Sequence, residues 1–180
     1  HSLANLTLYN SRDANPLNPE NYYHVAFAPG GTINDFTIED AGYFSVNGTT
    51  IQINGDLTVP LDPDGFTGLL GGAIQTWVKV TGNVTDPNTT FTSLGGGDLT
   101  SYDEGHLVFN GGGNIQTVDI AQTDLGFRLQ VADNSHLQLL SDYHQTNPVG
   151  EHVGFWSKLG ADATLDVGSH TLSVPNLAGP

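Results

Sequence analysis

The stretch AIQTWVKVTG, residues 73–82, alternates. Ile74, Thr76, Val78 and Val80 fall on one side of an extended chain, and Gln75, Trp77 and Lys79 on the other. This is the period of a strand with one buried and one solvated face, and Thr81-Gly82 closes it with a turn signal. The same texture extends in both directions. HVAFA, TIQING, HLVFN, FRLQVAD and HLQLLSDYH read as further strands, bounded by Gly, Asn, Asp and Pro. On the order of a dozen such runs, at roughly 8–12-residue spacing, predict an all-β fold without a helix longer than about two turns. The expected arrangement is an antiparallel β-sandwich or flattened barrel, one β-rich domain over residues 1–180.

One internal likeness bears on how that domain is built. HVAFAPGGTINDFTI, from His24, matches HLVFNGGGNIQTVDI, from His106, at six of 15 positions and a constant offset of 82. Phe27/Phe109, Gly31/Gly113, Ile33/Ile115 and Ile38/Ile120 are among the pairs. The likeness suggests two duplicated β-modules, about residues 20–98 and 102–175.

Charge and composition remove several functions. The chain has 19 Asp and Glu against four Lys and Arg, a net charge of −15. Too few cations are present for nucleic-acid binding or for adhesion to an anionic membrane. No run reaches the roughly 18 apolar residues of a membrane span, so no membrane insertion is expected. With no Cys there are no disulfides, thiolate metal sites or Cys nucleophiles. GLLGG and LGGGD lack the Lys and following helix of a phosphate loop. Neither a G-x-S-x-G elbow nor an H-E-x-x-H helix occurs, so catalysis is not the first expectation.

The seven histidines are the chemical feature of the chain. Without Cys, a transition-metal site must be built from imidazole and carboxylate, a donor set that zinc accepts. In SDYHQTNPVGEH, residues 141–152, Asp142 and His144 share a strand face with His136 and Gln138, while Leu137, Leu139 and Tyr143 take the other. If the chain reverses through Asn147–Gly150, Glu151 and His152 return beside them at cross-strand distance. His24 and His106, which open the two matching segments, form a second constellation. The candidate metal ligands are therefore His24, His106, His136, His144, Glu151 and His152, with zinc the expected ion. Copper competes at imidazole sites. Calcium is less expected, because DPDGFTG (62–68) and TDPNTT (85–90) lack the spacing of a calcium loop and read better as Asp-Pro turns.

A Cys-free, acidic, β-rich chain carrying NYYHVAFAPGGTINDFTIEDAGYFSVNG and dispersed His resembles the zinc-repressed bacterial proteins that bear a PEP-CTERM sorting tail. The resemblance implies a role under zinc limitation, in a secreted, periplasmic or cell-surface location. It supplies no catalytic residue.

Three functional expectations follow. The first is capture or buffering of a scarce divalent metal ion. The second is a carbohydrate- or surface-binding module with contacts from Trp77, Trp156, Tyr22 and Tyr23 and with incidental His; cell-surface or extracellular-matrix association is a separate partner expectation for the chain. The third is a metal-dependent enzyme.

Overall fold

The structure is a computed structural model that describes residues 2–9, 31–39, 43–46, 50–60, 68–71, 76–87, 94–96, 105–121, 128–144, 157–174 and 177–179. Every described regular element is a strand. In chain order these are β1 (Ser2–Tyr9), β2 (Thr32–Glu39), β3 (Tyr43–Val46), β4 (Thr50–Ile53), β5 (Leu57–Thr58), β6 (Gly68–Gly71), β7 (Thr76–Val80), β8 (Val84–Asp86) and β9 (Leu94–Gly96). They continue with β10 (Gly105–Phe109), β11 (Ile115–Ile120), β12 (Arg128–Val131), β13 (His136–Leu139), β14 (Tyr143–His144), β15 (Ser157–Leu159), β16 (Thr164–Asp166), β17 (Leu172–Ser173) and β18 (Leu177–Ala178).

All described pairings are parallel, which overturns the antiparallel sandwich and the flattened barrel. Thirteen strands form one sheet that curls into a half-barrel. Its hinge is β2. The first residues of β2 pair with β4 and its middle pairs with β5, so the sheet divides there into two arms. Arm one runs β4-β7-β10-β12-β15-β18 and arm two runs β5-β8-β11-β13-β16. Two smaller parallel sheets, β3-β6-β9 and β14-β17, form a third side. The chain thus visits arm one, arm two and the third side in turn, then stacks the next winding on the last: a parallel β-solenoid.

The alternation read from residues 73–82 explains the core but not the partners. Val78 and Val80 point inward, as expected. They stack in ladders with the same position of neighbouring windings: Ile51–Val78–Leu107–Leu129 and Ile33–Ile53–Val80–Phe109–Val131. On arm two the corresponding ladder is Phe36–Leu57–Val84–Val118–Leu139. All of these residues belong to one buried apolar cluster. A parallel strand and an antiparallel one with a single buried face have the same period of two. Local pattern therefore cannot tell them apart.

The turns bend the chain without reversing it. At the corner between the arms, Asp35 Oδ1 accepts the Asp56 amide at 3.1 Å. Asp56 Oδ1 accepts the Asn83 amide at 2.6 Å, and Asn83 Oδ1 accepts the Thr117 amide at 2.8 Å. Each side chain satisfies a backbone donor of the next winding, where a bend would otherwise leave it unpaired. This stacking requires glycine at the preceding position. A Cβ on Gly82 would overlap Asp56 Oδ1 and the Gly55 carbonyl, and one on Gly55 would overlap Asp35 Oδ1.

The corner widens at Asn110–Asn114, and Gln116 repairs the break. Its buried side chain donates to the carbonyls of Val80 (2.9 Å) and Gly82 (2.6 Å) and accepts from the Gly111 amide (2.6 Å).

The 82-residue likeness has a counterpart in this geometry. Phe36 and Val118 are three steps apart in one ladder, through Leu57 and Val84, and those steps together span the offset of 82. On arm two, equivalent residues of the matching segments therefore occupy equivalent places in the winding. They are not the cores of two packed sandwich halves.

Candidate functional site: the outward face of arm one

Strand alternation that buries Val78 and Val80 turns Trp77 and Lys79 outward. Parallel register then aligns outward residues into two ladders. One is Thr50–Trp77–His106–Arg128 and the other Gln52–Lys79–Val108–Gln130–Lys158. Neighbouring members are one strand spacing apart, about 4.7–4.9 Å.

Charge is sharply divided between the arms. The six strands of arm one, β4, β7, β10, β12, β15 and β18, contain no Asp or Glu, yet they hold Lys79, Arg128 and Lys158. Those are three of the four cations in the whole sequence. The five strands of arm two, β5, β8, β11, β13 and β16, contain no Lys or Arg and carry Asp86, Asp119 and Asp166. A His170–Asp142 contact lies outside both arms.

The centre of the first ladder is closely packed. The rings of Trp77 and His106 stack with centroids 3.9 Å apart and planes 8° apart. Gln130 Nε2 lies 3.0 Å from His106 Nδ1. Arg128 follows His106 in the ladder, and both are only 5% exposed although they stand on the outward side. Burial holds the His106 pKa down to about 4, with the Arg128 charge adding to the effect. The ring is therefore neutral at physiological pH, and it accepts at Nδ1 from the Gln130 amide.

The second ladder is more open. Lys158 is exposed, and Gln52, Lys79 and Gln130 are half-buried. Asn110, at the end of β10, donates to Gln52 Oε1 at 3.1 Å. Its own Oδ1 is buried without a hydrogen-bond partner among the described residues.

The histidines expected as ligands are distributed over different sides of the winding. His106 is on β10 of arm one, His136 on β13 of arm two and His144 on β14 of the third side. The predicted split around His136 holds in the burial: Leu137, Leu139 and Tyr143 are buried, whereas His136, Gln138 and His144 are half-buried and Asp142 is exposed. The segment is not one straight strand, however. It turns at Leu140–Asp142, and β14 joins β17 with His144 opposite Ser173. His24, Glu151 and His152 lie outside the described residues, and so does the turn through Pro148.

Asp142 has a neighbour that strand parity did not indicate: His170 Nδ1 is 3.7 Å from its Oδ1, which also accepts the Thr171 amide at 2.8 Å. Among the described residues no three His, Cys, Asp or Glu side chains converge as an ion would require. Asp86, read as part of an Asp-Pro turn, ends β8 and is wholly buried. Sequence reading placed Trp77 among possible contact residues but overlooked Lys79, Arg128 and Lys158 as a group. Their scarcity, four cations in 180 residues, was the available signal.

Comparison with protein-family models, with characterised proteins and with solved structures finds no match to this chain. Among the described residues, no helix is long and apolar enough to cross a membrane.

Proposed function

We propose that this is a binding protein whose arm-one face holds an anionic polysaccharide outside the cell or at its surface. The observation that carries the reading is the segregation of charge: three cations and no carboxylate on the strands of one arm, in a chain of net charge −15. Cations serving only to dilute the negative field would be expected among the acids, not apart from them.

Lys79, Gln130 and Lys158 lie along one ladder, with buried Val108 between the first two, and bring ammonium and amide groups suited to carboxylate or sulfate and to hydroxyls. Half-buried Trp77 offers an apolar surface to sugar rings beside them. The buried His106–Arg128 segment fixes Trp77 from the other side, so little freedom is lost on binding.

The test is calorimetry with polygalacturonate or alginate against neutral dextran. Binding to the acidic polymers is expected, weakening with salt. The double variant Lys79→Glu/Lys158→Glu should lose roughly tenfold or more in affinity, about 1.4 kcal/mol. Equal affinity for dextran, or a double variant that binds as the parent does, refutes the proposal.

The Asp142–His170 contact favours a second reading, metal capture on the third side, with any further donor supplied from beyond the described residues. Zinc is the expected ion. Metal analysis of untagged protein, followed by zinc titration of an Asp142→Ala/His170→Ala variant, tests it. An unchanged isotherm removes these residues from any zinc site.

A further inference from the structure

Granted that arm one holds a polyanion, we infer that its ligand is a homopolyuronate, a polymer with a carboxylate on every sugar, and that it runs across the strands from Lys79 to Lys158. The path follows from which cations can be reached. Arg128 is only 5% exposed, whereas Lys79 is half-buried and Lys158 is exposed. Those two lysines stand in one ladder, Lys79–Val108–Gln130–Lys158, on the neighbouring strands β7, β10, β12 and β15. A single polymer that meets both must therefore cross the strands and cannot follow one of them.

The spacing selects the polymer. Lys79 and Lys158 are three strand steps apart, about 14–15 Å between their backbones. A pyranose ring lengthens its polymer by about one strand spacing, so rings and strands run in step. A sugar at Lys79 puts the third sugar after it at Lys158. Three is an odd number of steps, and that separates two classes of polyanion. In an alternating polymer such as hyaluronan every second sugar is neutral, so carboxylates recur only at even separations. Such a polymer meets one lysine with an acid and sets a neutral sugar on the other. A homopolyuronate such as polygalacturonate has an acid at both places.

The residues between the lysines suit the two sugars between. Val108, only 7% exposed, leaves a low apolar place for the C–H face of a ring. Half-buried Gln130 brings an amide for hydroxyls. None of the four strands carries an Asp or Glu that would repel the acids.

The experiment is calorimetry at low salt with galacturonate oligomers from the dimer to the hexamer, beside hyaluronan oligomers of equal length. The tetramer is the shortest galacturonate with two carboxylates three sugars apart. It should bind roughly tenfold or more tighter than the trimer, because its second contact is made within the same molecule. Lys79→Gln and Lys158→Gln should each remove that step and bring the tetramer back to the affinity of the trimer. Hyaluronan hexamers should bind no tighter than the galacturonate trimer.

Acidic oligomers that bind with no step at the tetramer would overturn the inference, as would a step that survives either Lys variant. Hyaluronan that binds as tightly as galacturonate of the same length would do so too. In all three cases arm one would still be a polyanion-binding face. Failure of polygalacturonate itself to bind would instead refute that reading of arm one, and the inference with it.

Discussion

His106 lies flat on Trp77 of the preceding winding, its ring 3.9 Å away between centroids and held neutral by burial and by Arg128. Folding therefore favours the unprotonated ring. Its pKa is about 4 in the folded chain and near 6.5 when unfolded, so between those values the unfolded chain binds more protons. The stabilisation is complete above about pH 6.5 and is lost as pH falls toward 4. Its size is at most about 2–3 kcal/mol between pH 7 and 4.5. Urea midpoints measured across that range should fall more steeply for the parent than for His106→Gln. Equal slopes would show that His106 is not the titrating group.

Gly82→Ala forces a methyl group into Asp56 Oδ1 and the Gly55 carbonyl. The backbone at this corner must shift, which breaks the 2.6 Å bond from the Asn83 amide to Asp56. Overpacking of this kind costs about 1–3 kcal/mol. At roughly 2–4 °C per kcal/mol for a chain of this size, the melting temperature should fall measurably. Gly113→Ala serves as the control, since nothing lies near a Cβ there.

Gln116→Leu keeps the side-chain volume and removes three hydrogen bonds. The carbonyls of Val80 and Gly82 and the amide of Gly111 each lose a partner. A loss of about 2–4 kcal/mol is expected by chemical denaturation. Gln116→Glu should also destabilise, because a carboxylate cannot donate to either carbonyl.

At the Asp142–His170 contact the two partners should differ. The pair is solvent-exposed on the Asp142 side, so His170→Ala should change stability by less than about 0.5 kcal/mol. Asp142→Ala also removes the acceptor of the Thr171 amide and should cost more, about 1 kcal/mol. Two equal effects would show that the ion pair dominates at this corner.

What could be read from sequence was the inside of each strand. The alternation around Val78, and the division of Leu137 and Leu139 from His136 and Gln138, appear in the structure as buried and less buried sides. What could not be read was which strand lies beside which. Asn54-Gly55-Asp56 and Thr81-Gly82-Asn83 resemble hairpin turns locally, yet their hydrogen bonds run to the neighbouring winding, not across a reversed chain. The charged face was hidden for the same reason. Lys79, Arg128 and Lys158 are far apart in sequence, and only parallel register brings their strands onto one arm. The offset of 82 was the visible trace of winding. Single steps along the arm-two ladder, such as Phe36 to Leu57 and Val84 to Val118, differ too much in length to stand out alone.

That unevenness has a thermodynamic side. The step from Phe36 to Leu57 closes a loop of 21 residues, and the step from Val84 to Val118 closes one of 34. Loop-closure entropy grows only with the logarithm of length, so the longer loop costs about 0.4 kcal/mol more than the shorter. Residues inserted between the arms' strands are nearly free of penalty, provided that the corner residues can still find their neighbours. A chain built this way can exchange or extend its connecting loops while the ladders remain in register. It can also fold as a sequence of short closures, each waiting only on the winding before it.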